Sequence, residues 1–399
     1  LRAAALFLLL TCLLLTGGCW DEREVETLGL VDGLALDRGG GGQIRLTLQI
    51  LNSRAMSHAA GMGPVQGVKT YQNFTAQART TDDALARLTR LTPRRPFFSS
   101  LRLVAISEDL ARERDLREIL DFLTRDREIR RDAWFVVSRS PINRLFDVNT
   151  PMSVSASSQV QDIMNQSHLS GLYTATRLAD VVKAVTAEGV SPTAAGLTVT
   201  PNAFEPPPDM EARHVTLPEP QQTILMSGTA VFKNGLLTGW LDSQATNGLL
   251  WVQGKRGGTV EVPAAGGQTT LKVINSRSAV RMEKTGGLPE IYLRIEAACA
   301  VGETDSAIDL TRETVYRDLG KRAADVVREE VAAAIAAALT SYRADIFGFS
   351  QVVHRADPKL WATLKDTWSD RLPELPVSVE VHVRVTTAGL VSRPLLHRQ

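Results

Sequence analysis

The chain has 399 residues, with 45 Lys plus Arg set against 44 Asp plus Glu. That balance excludes a strongly basic nucleic-acid binder and an acidic solvating tail. Hydrophobic residues at 44% and charged residues at 22% exclude bulk disorder, and at roughly 150 residues per domain the length predicts two or three domains.

Arg2 is followed by an uncharged apolar stretch from Ala3 to Leu15, closed by Thr16-Gly17-Gly18. This is a secretory signal layout, shorter than the roughly 20 residues that span a bilayer, and no other apolar run reaches that length. Small residues directly before Cys19 resemble the bacterial lipobox, although Thr16 holds the place where leucine is usual. The resemblance implies cleavage ahead of Cys19 and a diacylglyceryl group on its thiol. The chain opens on Leu1 and not on methionine, so a start further upstream is expected. Cys12 leaves with the signal, and Cys299 remains as the one free thiol. Its alternating strand-like setting makes it a small buried hydrophobe. Loss of Arg2 brings the formal charge from +1 to zero, so attachment to a membrane must come from acyl chains. Trp20 is placed to sit among head groups.

Leu28 to Asp37 and Gln43 to Asn52 alternate on either side of four glycines and predict a hairpin with one buried face. A phosphate-cradling loop would require a helix after Gly42, where a strand follows instead. Val68 to Ala78 predicts a strand. Thr81 and Asp82 cap a helix to Leu91. Leu101 to Ile106 predicts a buried strand that leads into one helix carrying Leu110, Leu116, Ile119, Leu120 and Leu123. Ala133 to Ser138 is a strand, while Ser155 to Gln166 and Thr176 to Glu188 are helices. Pro201, Pro206, Pro207, Pro208, Pro218 and Pro220 then mark a semi-rigid spacer. Beyond it, Thr223–Lys233, Gly258–Val262, Thr269–Glu283 and Glu290–Gly302 predict strands. A helix from Thr311 to Tyr342 would be roughly 48 Å long. Val377 to Val385 is the cleanest alternating strand. No repeat of roughly 20–50 residues occurs, so solenoids and propellers are not expected.

Several stretches in order resemble the Ger(x)C family, the C-subunit lipoproteins of spore germinant receptors. They are the lipobox running into Cys19-Trp20-Asp21, then Val31-Asp32-Gly33-Leu34-Ala35-Leu36-Asp37. Leu101 to Ile106 leads on to Ile119-Leu120-Asp121-Phe122-Leu123. In the second half they are Gly228 to Lys233, Gly239-Trp240-Leu241, Gly248-Leu249-Leu250-Trp251-Val252 and Asp345-Ile346-Phe347-Gly348-Phe349. Trp361, Trp368 and the valine strand complete the order. Ser350 stands where glycine is expected, and Thr386 to Leu390 replaces a basic ending. The resemblance implies an α+β, multi-domain fold of mixed and antiparallel sheets with packed helices, the long helix lying in the C-terminal domain. It implies a lipid-anchored protein on the outer face of the spore inner membrane. It also implies two integral-membrane receptor subunits as partners, in a response to small nutrient germinants. The expected division is a lipoprotein signal over 1–18, an N-terminal α+β domain over 19–200 in one or two lobes, a linker over 201–222 and a C-terminal α+β domain over 223–392.

No catalytic set, cofactor or metal is expected. His58, His168, His214, His354, His382 and His397 stand apart, and no ligand pair has zinc spacing. His382 falls among the polar positions of the valine strand and is expected to face solvent. Gly348 to Val352 imitates a nucleophile elbow, but Val352 replaces its closing glycine. Gly61 to Gly67 has the wrong spacing for a dinucleotide loop, and Pro64 removes an amide donor. Asp82-Asp83 and Glu329-Glu330 are expected to be solvated helix charges. Trp240, Trp251, Trp361 and Trp368 are expected in the core, or failing that at an interface. The competing readings are a solute-binding lipoprotein of a transporter, which should show two similar strand-helix-strand lobes, and a cell-wall enzyme.

Overall fold

The computed structural model describes residues 27–52, 69–150, 152–167, 171–201, 222–264, 266–284, 289–306 and 308–387. The signal segment, Cys19, Trp20, the Gly61–Gly67 run and the interior of the proline-rich segment lie outside these residues.

The first hairpin forms as its alternation predicts, with β1 (Leu28–Arg38) antiparallel to β2 (Ile44–Leu51). Its turn needs glycine, because Gly41 and Gly42 have φ of 62° and 74°. β3 (Tyr71–Ala78) pairs with β2. The helix α1 (Thr81–Leu88) starts one residue before the expected cap, at Thr80, whose hydroxyl accepts from the Asp83 amide. After the short β4 (Arg95–Phe97), β5 (Leu103–Ser107) lies parallel to β1.

The single helix expected next is two, α2 (Glu108–Glu113) and α3 (Leu116–Arg125). Arg114 is extended, and Asp115 caps the second helix by accepting from the Arg117 amide. The helical spacing of leucines carries across that break, which is why periodicity alone hid it. β6 (Trp134–Ser138), α4 (Ile142–Asp147), α5 (Ala156–Asn165), α6 (Leu178–Thr186) and β7 (Thr193–Pro201) follow.

β8 (Gln222–Lys233) and β9 (Leu236–Leu241) come after the proline-rich segment, yet they complete this same sheet. Its order is β3-β2-β1-β5-β6-β7-β8-β9, with β4 on β1. Pro201 and Gln222 are register partners. The segment between them therefore joins adjacent antiparallel strands, and the sheets change over between Leu241 and Thr259. β1, β5, β6 and β7 run parallel and are covered on both faces, so β5 and β6 are buried at every residue. Leu88, Leu116 and Leu178 cover one face, while Phe146 and Val160 cover the other.

The second sheet has the order β10 (Thr259–Ala264), β11 (Gly267–Lys284), β12 (Pro289–Thr304) and β13 (Val377–Thr387). Between β9 and β10 lies α7 (Ser243–Val252). The long helix α8 (Glu313–Ile335) continues into a π turn at Ala336–Ser341. It buries Leu319, Ala323, Val327 and Val331 against Leu293, Ile295 and Val381 of the sheet. Three short helices, α9 (Phe349–Ala356), α10 (Pro358–Leu364) and α11 (Trp368–Arg371), lead to β13. This is a mixed α+β fold. No helix among the described residues is long and apolar enough to cross a membrane.

Candidate functional site

Asp32 is the most buried ionisable group of the first sheet, at 0% exposure. It sits in β1 beside the N-terminus of α5. Its Oδ2 accepts from the hydroxyls of Ser155 and Ser158, the latter at 2.9 Å, and Arg102 Nε lies 3.1 Å from Oδ1. Ser155 is the N-cap of α5 and accepts from the Ser158 amide. A carboxylate at this end of a helix is favoured by the helix dipole and by hydroxyls that are already oriented. Gly33 makes the approach possible, since a Cβ there would lie 1.9 Å from Ser157 Oγ. Beside this group, Gln49 accepts from Ser157 and donates to the Phe146 carbonyl. Oδ2 is satisfied by the two hydroxyls, while Oδ1 accepts no hydrogen bond and has only the Arg102 charge beside it; solvent does not reach the carboxylate.

Four tryptophans expected in the core each donate the indole N–H to a carboxylate. Trp240 bonds Glu108 at 3.0 Å, Trp251 bonds Glu330 at 2.6 Å, Trp361 bonds Glu188 at 3.2 Å and Trp368 bonds Asp345 at 3.3 Å. Trp251, Trp361 and Trp368 are buried, and Trp240 is half-buried. A buried indole needs a partner for its N–H, and a charged acceptor gives the stronger bond. Glu330 also accepts from Asn247, so it is a bridge between α7 and α8, contrary to the solvated role expected for it. Burial opposes the Glu108 charge, but Trp240 and Arg112 outweigh it and hold the group below its usual range. Trp361 and Trp368 meet edge to face at 5.4 Å across the tight turn Lys365–Thr367 that separates their two helices.

Glycines admit these joints. A Cβ on Gly239 would enter the Tyr342 ring at 2.3 Å, and the Tyr342 hydroxyl donates to the Trp240 carbonyl. A Cβ on Gly248 would lie 2.0 Å from the Glu330 carbonyl oxygen.

Asp345 closes the last joint. Its carboxylate accepts from the amides of Phe349 and Ser350 at the start of α9, as well as from Trp368. Gly348 enters that helix at φ 75°. Ser350, in place of the expected glycine, is buried beside Gly189, where a Cβ would meet its own Cβ at 2.7 Å. Burial raises the Asp345 carboxyl above the ordinary 3.8, although the three donors pull it down. A raised folded-state value makes its contribution to stability largest below 3.8, and that contribution is lost as pH rises through the folded-state value. The stability advantage of wild type over Asp345→Asn should therefore shrink with rising pH. Urea unfolding across a pH series measures this, and an advantage that grows instead would contradict the assignment.

The sequence-based candidates fall as follows. Cys19 lies outside the described residues. Cys299 is buried, with its thiol pushed up to about 11 by burial, and so is a core residue without nucleophilic character. His382 is exposed and bonds Glu380, while His354 stacks on Trp361. Ser350 is too buried to act as a nucleophile. No group of metal-ligating residues occurs among the described residues. The carboxylates Glu108 and Glu188 were invisible in the sequence, because their tryptophan partners lie 132 and 173 residues away.

Residues 21–199 match the family model described as spore germination protein N-terminal domain. Residues 227–389 match that described as spore germination B3/GerAC like, C-terminal. The chain is 26% identical to spore germination protein KC of Bacillus subtilis (strain 168), over 98% of this chain and 97% of that protein. It is 24% identical to spore germination protein YndF of the same organism, over 96% of each. Among solved structures, the crystal structure of the GerBC protein superposes with a TM-score of 0.54, covering 88% of this chain and 96% of that chain at 16% identity. At that identity the likeness concerns the fold.

Proposed function

We propose the following role for a chain that belongs to the GerAC-like family of spore germination proteins. It is the non-catalytic, lipid-anchored subunit of a nutrient germinant receptor, held on the outer face of the spore inner membrane by a diacylglyceryl group on Cys19. It acts through contacts with two integral-membrane subunits. The observation that carries this reading is the ordered match of both family models along one chain that spans nearly the full length of its relatives. The use of carboxylates as joints, with Asp32 and Asp345 fully buried and no accessible nucleophile beside those two among the described residues, supports a binding role over a reaction. The division into unlike sheets of nine and four strands is not the pair of similar lobes that a hinged solute-binding protein requires.

Tethering raises the effective concentration of a weak interface without demanding a large one. Spores carrying folded Cys19→Ala protein at matched abundance should therefore lose most of their nutrient response. Wild-type protein should copurify with membrane subunits and carry a mass increment on Cys19. Equal germination of both strains, with no membrane subunit recovered from either, would end the receptor reading.

A further inference from the structure

α8 passes close against the edge of the second sheet, where a Cβ on Gly320 would lie 2.6 Å from the Val383 carbonyl oxygen. Beside this crossing runs a groove of about 930 Å³, with the flank of α8 on one side and residues of β11, β12 and β13 on the other. Its lining carries Arg277, Arg317, Lys321, Arg328 and Arg384 against the carboxylates Glu296 and Glu313. Glu296 is already paired with Arg294, and Arg328 with Asp325. Arg277, Arg317, Lys321 and Arg384 make no ion pair among the described residues. Ala298 is small and half-buried in the lining, so no bulky side chain stands at that point between the cations.

We propose that this groove binds an acidic, extended peptide segment of a partner protein. From Arg317 to Arg328 the helix rises about 16 Å, the length of roughly five residues of extended chain. Cations stand on both walls, so a segment lying between them can present acidic side chains to each. A lipid surface fits less well. It is flat where the groove is concave, and Glu296 and Glu313 would face its phosphates. The proposal does not depend on the receptor reading, because it concerns what the groove takes and not which complex supplies it.

The test uses the purified full chain and a fluorescein-labelled octapeptide alternating glutamate and threonine, followed by anisotropy at low ionic strength. The groove variant is R317E with K321E. The control is K272E with R355E, which makes the same change in net charge at exposed positions outside the groove. The groove variant should weaken binding about tenfold or more, and the control by less than about twofold. Replacing glutamate by glutamine in the peptide should also cost about tenfold or more. Equal losses in the two variants, equal binding of the glutamine peptide or no measurable peptide binding would overturn the proposal. Groove-dependent binding of phosphatidylglycerol vesicles without peptide binding would assign the site to a lipid surface and overturn it as well. Circular dichroism of each variant separates a lost site from a lost fold.

Discussion

Gly248→Ala is expected to destabilise the protein by about 3 kcal/mol, although alanine is the better helix former by about 1 kcal/mol. The added methyl would lie 2.0 Å from a backbone oxygen of Glu330, which cannot swing aside as a flexible side chain can. α7 and α8 must separate, and the bonds from Asn247 and Trp251 to the Glu330 carboxylate lengthen with them. Trp251 is fully buried at this joint, so its fluorescence should report the movement. Gly40→Ala is the matched comparison, because nothing lies within 4 Å of a Cβ built there. Urea unfolding of the two variants should give a large shift for the first and almost none for the second. A wild-type midpoint for Gly248→Ala would show that the helices are not held at this distance.

Asp32→Ala should cost about 3 kcal/mol, the lower end of what breaking a buried ion pair costs, because Arg102 keeps some access to water. The change strands the hydroxyls of Ser155 and Ser158 at the buried start of α5, where each unsatisfied group adds its own desolvation cost. Asp32→Asn retains one acceptor oxygen and should lose less. Thermal unfolding of the three proteins tests that ranking. If alanine and asparagine prove equal, the acceptor oxygen that asparagine keeps contributes nothing, and the bonds from Ser155 and Ser158 are not what anchors the helix.

Much of the fold was legible because its strands are either fully apolar or cleanly alternating. The first hairpin, β5, β6 and the valine strand all formed where patterning put them. What was missed has a common cause. β9, α4 and α7 are short, with apolar and small residues mixed, so neither period stands out. The break at Asp115 was masked by leucines whose spacing suits one helix or two. The crossing of the first sheet past the proline-rich segment could not be read, since strand partners are chosen by tertiary contact. The joints are a further case. Asp32-Gly33, Gly239-Trp240, Gly248 to Trp251 and Asp345 to Phe349 were recognisable as stretches resembling a family. Their physical work appeared only once Ser157, Tyr342, Glu330 and Trp368 were in place opposite them.

The passage from one sheet to the other is abrupt. β9 ends at Leu241, and Asp242 caps α7 by accepting from the Ala245 amide. Glu188 receives Trp361, and its carbonyl receives Gln351. The Ser191 amide donates to the Asp345 carbonyl, and Tyr342 grips Trp240. The last four of these bonds join the first sheet's layer to the second half at different points, so a clamshell closure about Asp242 would have to break several at once. A body stitched in this way is expected to act as a lever arm, passing a push on the face of the four-stranded sheet to the nine-stranded one as rotation of the whole particle.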